Sequence, residues 1–297
     1  MSKELKAETF KNTIRMSWQN HGKARVRVGR RWTAGGKDYF VEWKVQTLLE
    51  SSCEEAYTKG DNKGIVATDT QRNTCYYVAD QMKDICSPEE YAQALANHFL
   101  ETYEHISQVT VDITAKPWTR AVVEEKEHQH GFVLDNSKGE RGVQVVNNRK
   151  TVTTKAKCTG LTMLKTTQSG FEGYIKDKFT LLPETKERMM ASSVDAEWTY
   201  IRKPSNGYDS AYDKAVAILK KEFFGPAAKG VYSYSIQQTL YDMGTAALKA
   251  DKDILKMSLY MPNIHFLPTA PLVKSKDAVY VPVDEPHGVI HAEISRE

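Results

Sequence analysis

The chain offers no run approaching the roughly 18 consecutive apolar residues of a membrane span. Met1 to Ala7 carries lysines and a glutamate where a secretory signal would place an apolar core, so the expectation is a soluble chain without an export signal. Cysteine is scarce: Cys53, Cys75, Cys86 and Cys158 fall at irregular spacing, with no C-x-x-C. An even count permits disulfides, but four reduced thiols in a reducing compartment suit a chain of this size better. Ten prolines and seventeen glycines are too few for a long disordered tail. A formal charge of +3 is too small to argue for nucleic acid. There is no G-x-G-x-x-G, P-loop, G-x-S-x-G or H-E-x-x-H, hence no sign of a nucleotide cofactor. What is present is 297 residues, 40% hydrophobic and 27% charged, enough for one large domain or two smaller ones.

Hydrophobic periodicity supplies the elements. Tyr39, Val41, Trp43, Val45, Thr47 and Leu49 alternate along a half-buried strand from Asp38 to Glu50. Ala24, Val26 and Val28 alternate before it, and Ala34-Gly35-Gly36 joins the two as a hairpin. Thr68 reads as the cap of a helix from Asp69 to Met82. Ser87-Pro88-Glu89-Glu90 opens a second helix with a capping box and a proline in the first turn, followed by Tyr91, Leu95, His98, Phe99 and Tyr103 at helical spacing. Strand signals return at Val109-Val111-Ile113 and from His130 to Leu134. The second half shows the same order: strands at Gly142 to Thr153 and Val194 to Arg202, helices at Tyr212 to Phe224 and from the Ser235-Ile236-Gln237-Gln238 box, then strands at Leu255 to Met261 and Val289 to Ile294. Two strands, two helices and two strands, repeated, predict an α+β protein with antiparallel sheets and helices on one face. The expected boundary lies near Asp135 to Gly139, giving units 1–137 and 138–297. Outer strands without a covering partner would join sheets between subunits.

Several residues could carry chemistry, each with a plainer reading beside it. Thr68-Asp69 is an N-cap followed by an acid that complements the helix dipole, or a helix N-terminus offering N–H groups to an anion. Lys23 is a solvated charge at a strand start, or a base if burial or the nearby Arg25, Arg27, Arg30 and Arg31 depress its pKa. Glu184 and Arg188 are an i,i+4 ion pair on a short helix, or Arg188 is a fork for a planar acceptor. Phe171, between Gly170 and Glu172-Gly173, is a core ring or a stacking platform that glycines let a ligand approach. Gln237 is an exposed amide in a first turn, or a two-bond reader of a heterocycle edge. Asn263 and His265 share a face if their strand continues past Pro262. His128 and His130 lie on one side of a strand, but no third ligand sits at a zinc spacing.

Taken in order, these segments resemble urate oxidase (uricase). The matching stretches are Tyr57-Thr58-Lys59-Gly60-Asp61-Asn62, Val66-Ala67-Thr68-Asp69-Thr70 with Asn73-Thr74, and Gly160-Leu161-Thr162-Met163-Leu164-Lys165-Thr166-Thr167-Gln168-Ser169-Gly170-Phe171. Asp177, Thr180-Leu181-Leu182-Pro183-Glu184, Arg188, Gln237-Gln238-Thr239-Leu240-Tyr241 and Leu259-Tyr260-Met261-Pro262-Asn263-Ile264-His265 complete the set. The resemblance runs from about His21 to near the end of the chain.

The resemblance implies a tandem pair of T-fold domains, each β-β-α-α-β-β, assembled as a homotetramer around a tunnel. It implies oxidation of urate by O2, with water, to 5-hydroxyisourate and hydrogen peroxide, with no cofactor and no metal. By that likeness Phe171 stacks under the purine while Arg188 and Gln237 grip its polar edges. Thr68, Asp69 and Ile236 add backbone contacts, Leu182 lines the pocket, and Asn263 with Thr68 holds the dioxygen or water position. Lys23, Thr68 and His265 form the proton relay. Lys23, Thr68 and Asp69 would come from one subunit and the rest from its neighbour. The chain departs from peroxisomal members by ending Ile294-Ser295-Arg296-Glu297 rather than in a Ser-Lys/Arg-Leu address, so the expected compartment is the cytoplasm. Two rival readings remain at this stage: a metal-dependent pterin or purine enzyme using His128 and His130, and a non-catalytic purine-binding oligomer.

Overall fold

Strand alternation builds one continuous sheet in the computed structural model, which describes residues 14–269 and 279–297. The reading of Met1 to Ala7 lies outside the described residues. Strands β1 (His21–Ala34) and β2 (Lys37–Ser51) form the first hairpin. After a short turn of helix α1 (Glu55–Thr58), helices α2 (Thr68–Gln81) and α3 (Pro88–Thr102) follow, then β3 (Ile106–Ala115). A separate two-stranded hairpin, β4 (Trp118–Val123) with β5 (Lys126–Leu134), intervenes before β6 (Glu140–Asn147). The second half comprises β7 (Val152–Lys165), β8 (Met190–Tyr200), α4 (Gly207–Phe224), α5 (Ile236–Ala250), β9 (Ile254–Pro268), β10 (Tyr280–Val283) and β11 (Val289–Ser295). The sheet order is β1-β2-β3-β6-β7-β8-β9, with β10 and β11 both on β9 and every ladder antiparallel. Among the described residues β1 pairs only with β2 and β11 only with β9, so the sheet ends on open edges.

Four local expectations change on folding. The strand expected from Gly142 to Thr153 is two strands, because Asn148 turns the chain: its side-chain oxygen accepts from the backbone N–H groups of Lys150 and Thr151, and Arg149 adopts φ 68°. Helix α4 begins five residues before Tyr212, adding Tyr208 and Ala211 to its buried stripe. Ser87 and Glu90 complete a reciprocal capping box, whereas Ser235 accepts from the Gln238 N–H without the return bond. Ala24 faces out, because the pairing slips between Lys23 and Val26, where Arg25 takes φ 59°. That extra residue is a β-bulge, which re-aims the side chains before it.

Apolar side chains gather in two cores beneath the helix pairs. The first runs from Val26 to Val145 and centres on Trp43, stacked 4.6 Å from Tyr91. The second runs from Ala156 to Met261 and centres on Trp198, with Tyr212 at 5.5 Å. Strand β6, which a boundary at 137/138 assigns to the second unit, sends Val143 and Val145 into the first core. Polar contacts lock the halves together. Arg141 of β6 bridges fully buried Glu89 of α3 and Asp209 of α4, at 2.6 Å each. No helix among the described residues is long and apolar enough to cross a membrane.

Candidate active site

Seven residues singled out from sequence line a single cavity of about 460 Å3 in the second half: Phe171, Leu182, Arg188, Ile236, Gln237, Asn263 and His265. Three segments bring them together. Strand β9 does continue past Pro262, and Asn263 and His265 both line the cavity. Helix α5 presents its first turn, where Ile236 and Gln237 carry amides that no helical carbonyl can reach. The irregular stretch from Gln168 to Met189 supplies the ring, the leucine and the guanidinium.

That stretch is irregular for definite reasons. Pro183 removes a donor, and Phe171 pairs with Thr185 through two backbone bonds of 2.7 and 3.1 Å, so no helix forms around Glu184. Glu184 instead accepts from the Gly173 N–H and pairs with Lys176. The expected Glu184–Arg188 ion pair is therefore absent. Arg188 donates from its backbone to the Ser169 carbonyl at 2.8 Å and from Nε to the Ser169 hydroxyl at 3.3 Å. Its guanidinium lies 5.3 Å from the centre of the Phe171 ring, and no carboxylate among the described residues neutralises it. Burial accordingly pushes its pKa down from the usual arginine value. A half-buried cation without an acid is a group prepared for an anion. Behind the platform, Tyr174 stacks on Phe171 at 4.7 Å and 12° and donates its hydroxyl to the Leu182 carbonyl. Gly170 serves a neighbour rather than a ligand: a Cβ there would sit 2.1 Å from the Tyr232 hydroxyl.

Lys23, Thr68 and Asp69 lie in the other half and do not reach this cavity. Thr68 is the first helical residue of α2, not its cap. Ala67 occupies the cap position with φ −52° and ψ 141°, and no side chain caps the helix. The cap is set by backbone geometry, so the Thr68 hydroxyl is released from that duty. The first helical bond is from Gln71 N–H to the Ala67 carbonyl, which leaves the Thr68, Asp69 and Thr70 amides unpaired within the helix. Asp69 is engaged along its own helix by Arg72 at 2.6 Å and Asn73 at 3.0 Å.

A buried polar latch ties the start of α2 to the strand that carries Lys23. Lys23 stands opposite Thr47, whose hydroxyl donates to Gln71 Oε1 at 2.8 Å. Gln71 Nε2 donates to the Val66 carbonyl at 3.2 Å, and His21 Nε2 lies 3.0 Å from the same oxygen. Gly22 lets the strands close here, since a Cβ would sit 1.7 Å from the Thr47 carbonyl. Sequence reading missed Gln71 and Thr47. Thr47 counted as one more inward position of β2, and Gln71 is a polar residue in a first turn whose side chain joins Thr47 of β2 to the nearby Val66 carbonyl. His128 and His130 lie 4.5 Å apart at the outlying hairpin, and no group of three metal-ligating side chains gathers among the described residues.

Two strand-helix-strand repeats in one antiparallel sheet, with their helices laid on one face, define a tandem T-fold protein of the α+β class. The comparisons go further. The family model described as Uricase matches residues 19–144 and 155–291. The chain is 44% identical to Uricase-2 of Phaseolus vulgaris, over 94% of both chains, and 33% identical to Uricase of Oryctolagus cuniculus, over 93% of both. Its fold superposes on the crystal structure of uricase from Arthrobacter globiformis with a TM-score of 0.87 at 30% identity, covering 96% of each chain. The chain belongs to the uricase family.

Proposed function

We propose that this protein is a cofactor-free urate oxidase, converting urate, O2 and water to 5-hydroxyisourate and hydrogen peroxide. The observation that supports this best is the convergence of Phe171, an acid-free Arg188, Gln237, Asn263 and His265 on one cavity. Phe171 carries the flat ring, while Arg188 and Gln237 hold its polar edges through a fork and an amide. Urate near neutral pH is a monoanion, which suits both the guanidinium and the amides at the start of α2. Proton removal by the Lys23–Thr68 pair, with His265 completing the relay, gives an electron-rich dianion that passes two electrons to O2. Water adds to the oxidised ring and O2 leaves as peroxide, so the atoms balance. Asn263 and Thr68 hold the position taken by O2 or water. The protein places reactants, moves protons and keeps bulk water out.

The site on this reading is shared between two copies of the chain. One copy supplies Phe171, Leu182, Arg188, Ile236, Gln237, Asn263 and His265; a neighbour supplies Lys23, Thr68 and Asp69. Ile175, Phe179 and Leu181, in the same irregular stretch as Phe171 and Leu182, are strongly exposed in the single chain, apolar surface that a second copy would cover. The open edges of β1 and β11 allow sheets to join between copies, as a homotetramer around a tunnel requires. Within the chain, the repeats divide at the Asn148–Thr151 turn, because β6 packs into the first core. The cytoplasm, a reducing compartment, suits four cysteines that form no disulfide. The test is urate consumption with equimolar O2 uptake and peroxide release in the presence of chelator. Loss of activity in chelator, or urate binding without O2 uptake, would overturn it.

A further inference from the structure

Behind the substrate grip lies a polar knot that no assigned role uses. Lys165, the last residue of β7, donates from Nζ to the Val231 carbonyl at 2.8 Å and to the Ser233 hydroxyl at 2.7 Å. Thr239, one turn into α5, donates to the same Ser233 oxygen at 2.7 Å. Ser233 and Ser169, both buried, pair in a parallel bridge: Gly170 N–H donates to the Ser233 carbonyl and Ser233 N–H to the Gln168 carbonyl, at 2.9 Å each. Ser169 in turn receives both bonds from Arg188. One bridge therefore joins the segment that carries Phe171 and Arg188 to the segment that leads into Gln237, and the Lys165 ammonium fastens it.

The choice of lysine is informative. No carboxylate among the described residues compensates it, and the Phe223 ring lies 5.6 Å from Nζ. Burial holds its pKa down at about 8, against an ordinary 10.5. A half-buried cation without an acid costs stability. Its return is directional: three donors on one atom reach two acceptors on the loop that sets where α5 begins. A change of that loop would move Gln237 relative to Arg188.

Resting on the urate-site reading, we infer that Lys165 is a positioning residue that fixes the separation of Arg188 and Gln237 through Ser233. The test compares Lys165→Met, Lys165→Arg and Ser233→Ala in the full-length oligomer, measuring urate KM, kcat and thermal midpoint. Lys165→Met is expected to raise KM about tenfold, the loss associated with a charge-assisted hydrogen bond, while kcat changes much less. Lys165→Arg, which keeps the donors, should recover most of that loss. In a cycle with Gln237→Ala the effects on KM should fall short of additive, because both act on one grip. Ser233→Ala should raise KM in the same direction, and it stands in if the methionine variant does not fold. A lowered midpoint with unchanged KM in Lys165→Met and Ser233→Ala, or strict additivity with Gln237→Ala, overturns the inference and marks the knot as structural only. A wild type that consumes urate while these variants keep its KM leaves the urate reading standing. A wild type inert toward urate removes both.

Discussion

Asn263 faces Ser192 across the β8–β9 ladder, and both the Asn263 amide oxygen and the Ser192 hydroxyl are buried without a hydrogen-bond partner among the described residues. An unsatisfied buried polar atom costs about 1–3 kcal/mol, so such a pair is retained for something other than stability. It sits where Asn263 lines the cavity, beside the backbone bond from Asn263 N–H to the Gly288 carbonyl. Asn263→Leu should therefore lower turnover while leaving the thermal midpoint unchanged or raised. Oxygen-electrode rates and a melting curve on one preparation check both. A fall in the midpoint that tracks the loss of rate would make Asn263 a structural residue.

Arg188 can be tested separately from the relay. Its fork is the only part of the proposed grip that bonds a planar edge with two parallel N–H groups, and an ammonium cannot reproduce that. Arg188→Lys should raise urate KM by roughly one to two orders of magnitude, the cost of a lost charge-assisted bond. Wild-type affinity in that variant, by steady-state kinetics or competitive binding of a non-oxidised purine, would refute the clamp.

The Gln71 latch predicts a coupled loss. Gln71→Leu leaves the Thr47 hydroxyl and one bond to the Val66 carbonyl unmet at a buried site, so stability should fall by about 1–3 kcal/mol in urea titration. Because the latch ties the start of α2 to β1, kcat should fall as well, with urate KM much less affected. Gln71→Glu keeps an acceptor for Thr47 but buries a carboxylate against the Val66 carbonyl, so it should not recover the stability at neutral pH. Unchanged turnover in Gln71→Leu would confine the latch to folding.

How much of this was legible beforehand depends on the range of the interaction. Trp43, Val45, Thr47 and Leu49 follow period two along β2, and Ser87 with Glu90 caps α3 within four residues, so both could be read locally. The bulge at Arg25 was not legible, because it is a mismatch between two strands rather than a property of one. Glu184 and Arg188 show the opposite failure. Their spacing fits a helix, but backbone pairing between Phe171 and Thr185 overrides it. For the site, each residue had a plain alternative, and Arg188, Gln237 and Asn263 lie too far apart in sequence for spacing to link them. The resemblance joined them in advance; Lys165, Ser233 and Gln71, which act through other residues, were named by neither route.

The buried thiols predict how stability responds to alkali. Burial raises the Cys75 and Cys86 pKa values from 9.0 to about 12. The sign follows from linkage. Below pH 9 both states hold the protons, and the full stability is present. Between pH 9 and 12 the unfolded thiols ionise while the folded ones do not, so stability falls by about 1.4 kcal/mol per pH unit for each cysteine. Urea midpoints at pH 8 and pH 10 should decline, and Cys86→Ala should show a shallower decline than the wild type. Equal slopes in the two proteins would mean that Cys86 is not shielded as its 8% exposure indicates.

Mixing two impaired enzymes, assayed at urate well below the raised KM of Arg188→Lys, tests the shared site most directly. Lys23→Ala damages the half-site in the first repeat, and Arg188→Lys the half-site in the second. General-base assistance is commonly worth about 10²–10⁴-fold, so the lysine variant alone should be nearly inactive. If each site takes one half from each of two copies, co-expressed subunits assort at random, and about one quarter of the sites combine two intact halves. Activity near a quarter of wild type should return, although neither parent has it. If instead every site were built within one chain, each would carry one of the two lesions, and the mixture would be no more active than the average of its parents. Recovery would also require that the mixed species be oligomeric, so gel filtration of the active fraction belongs to the same experiment. Activity eluting at the mass of a single chain would overturn the shared site even if the mixture were active.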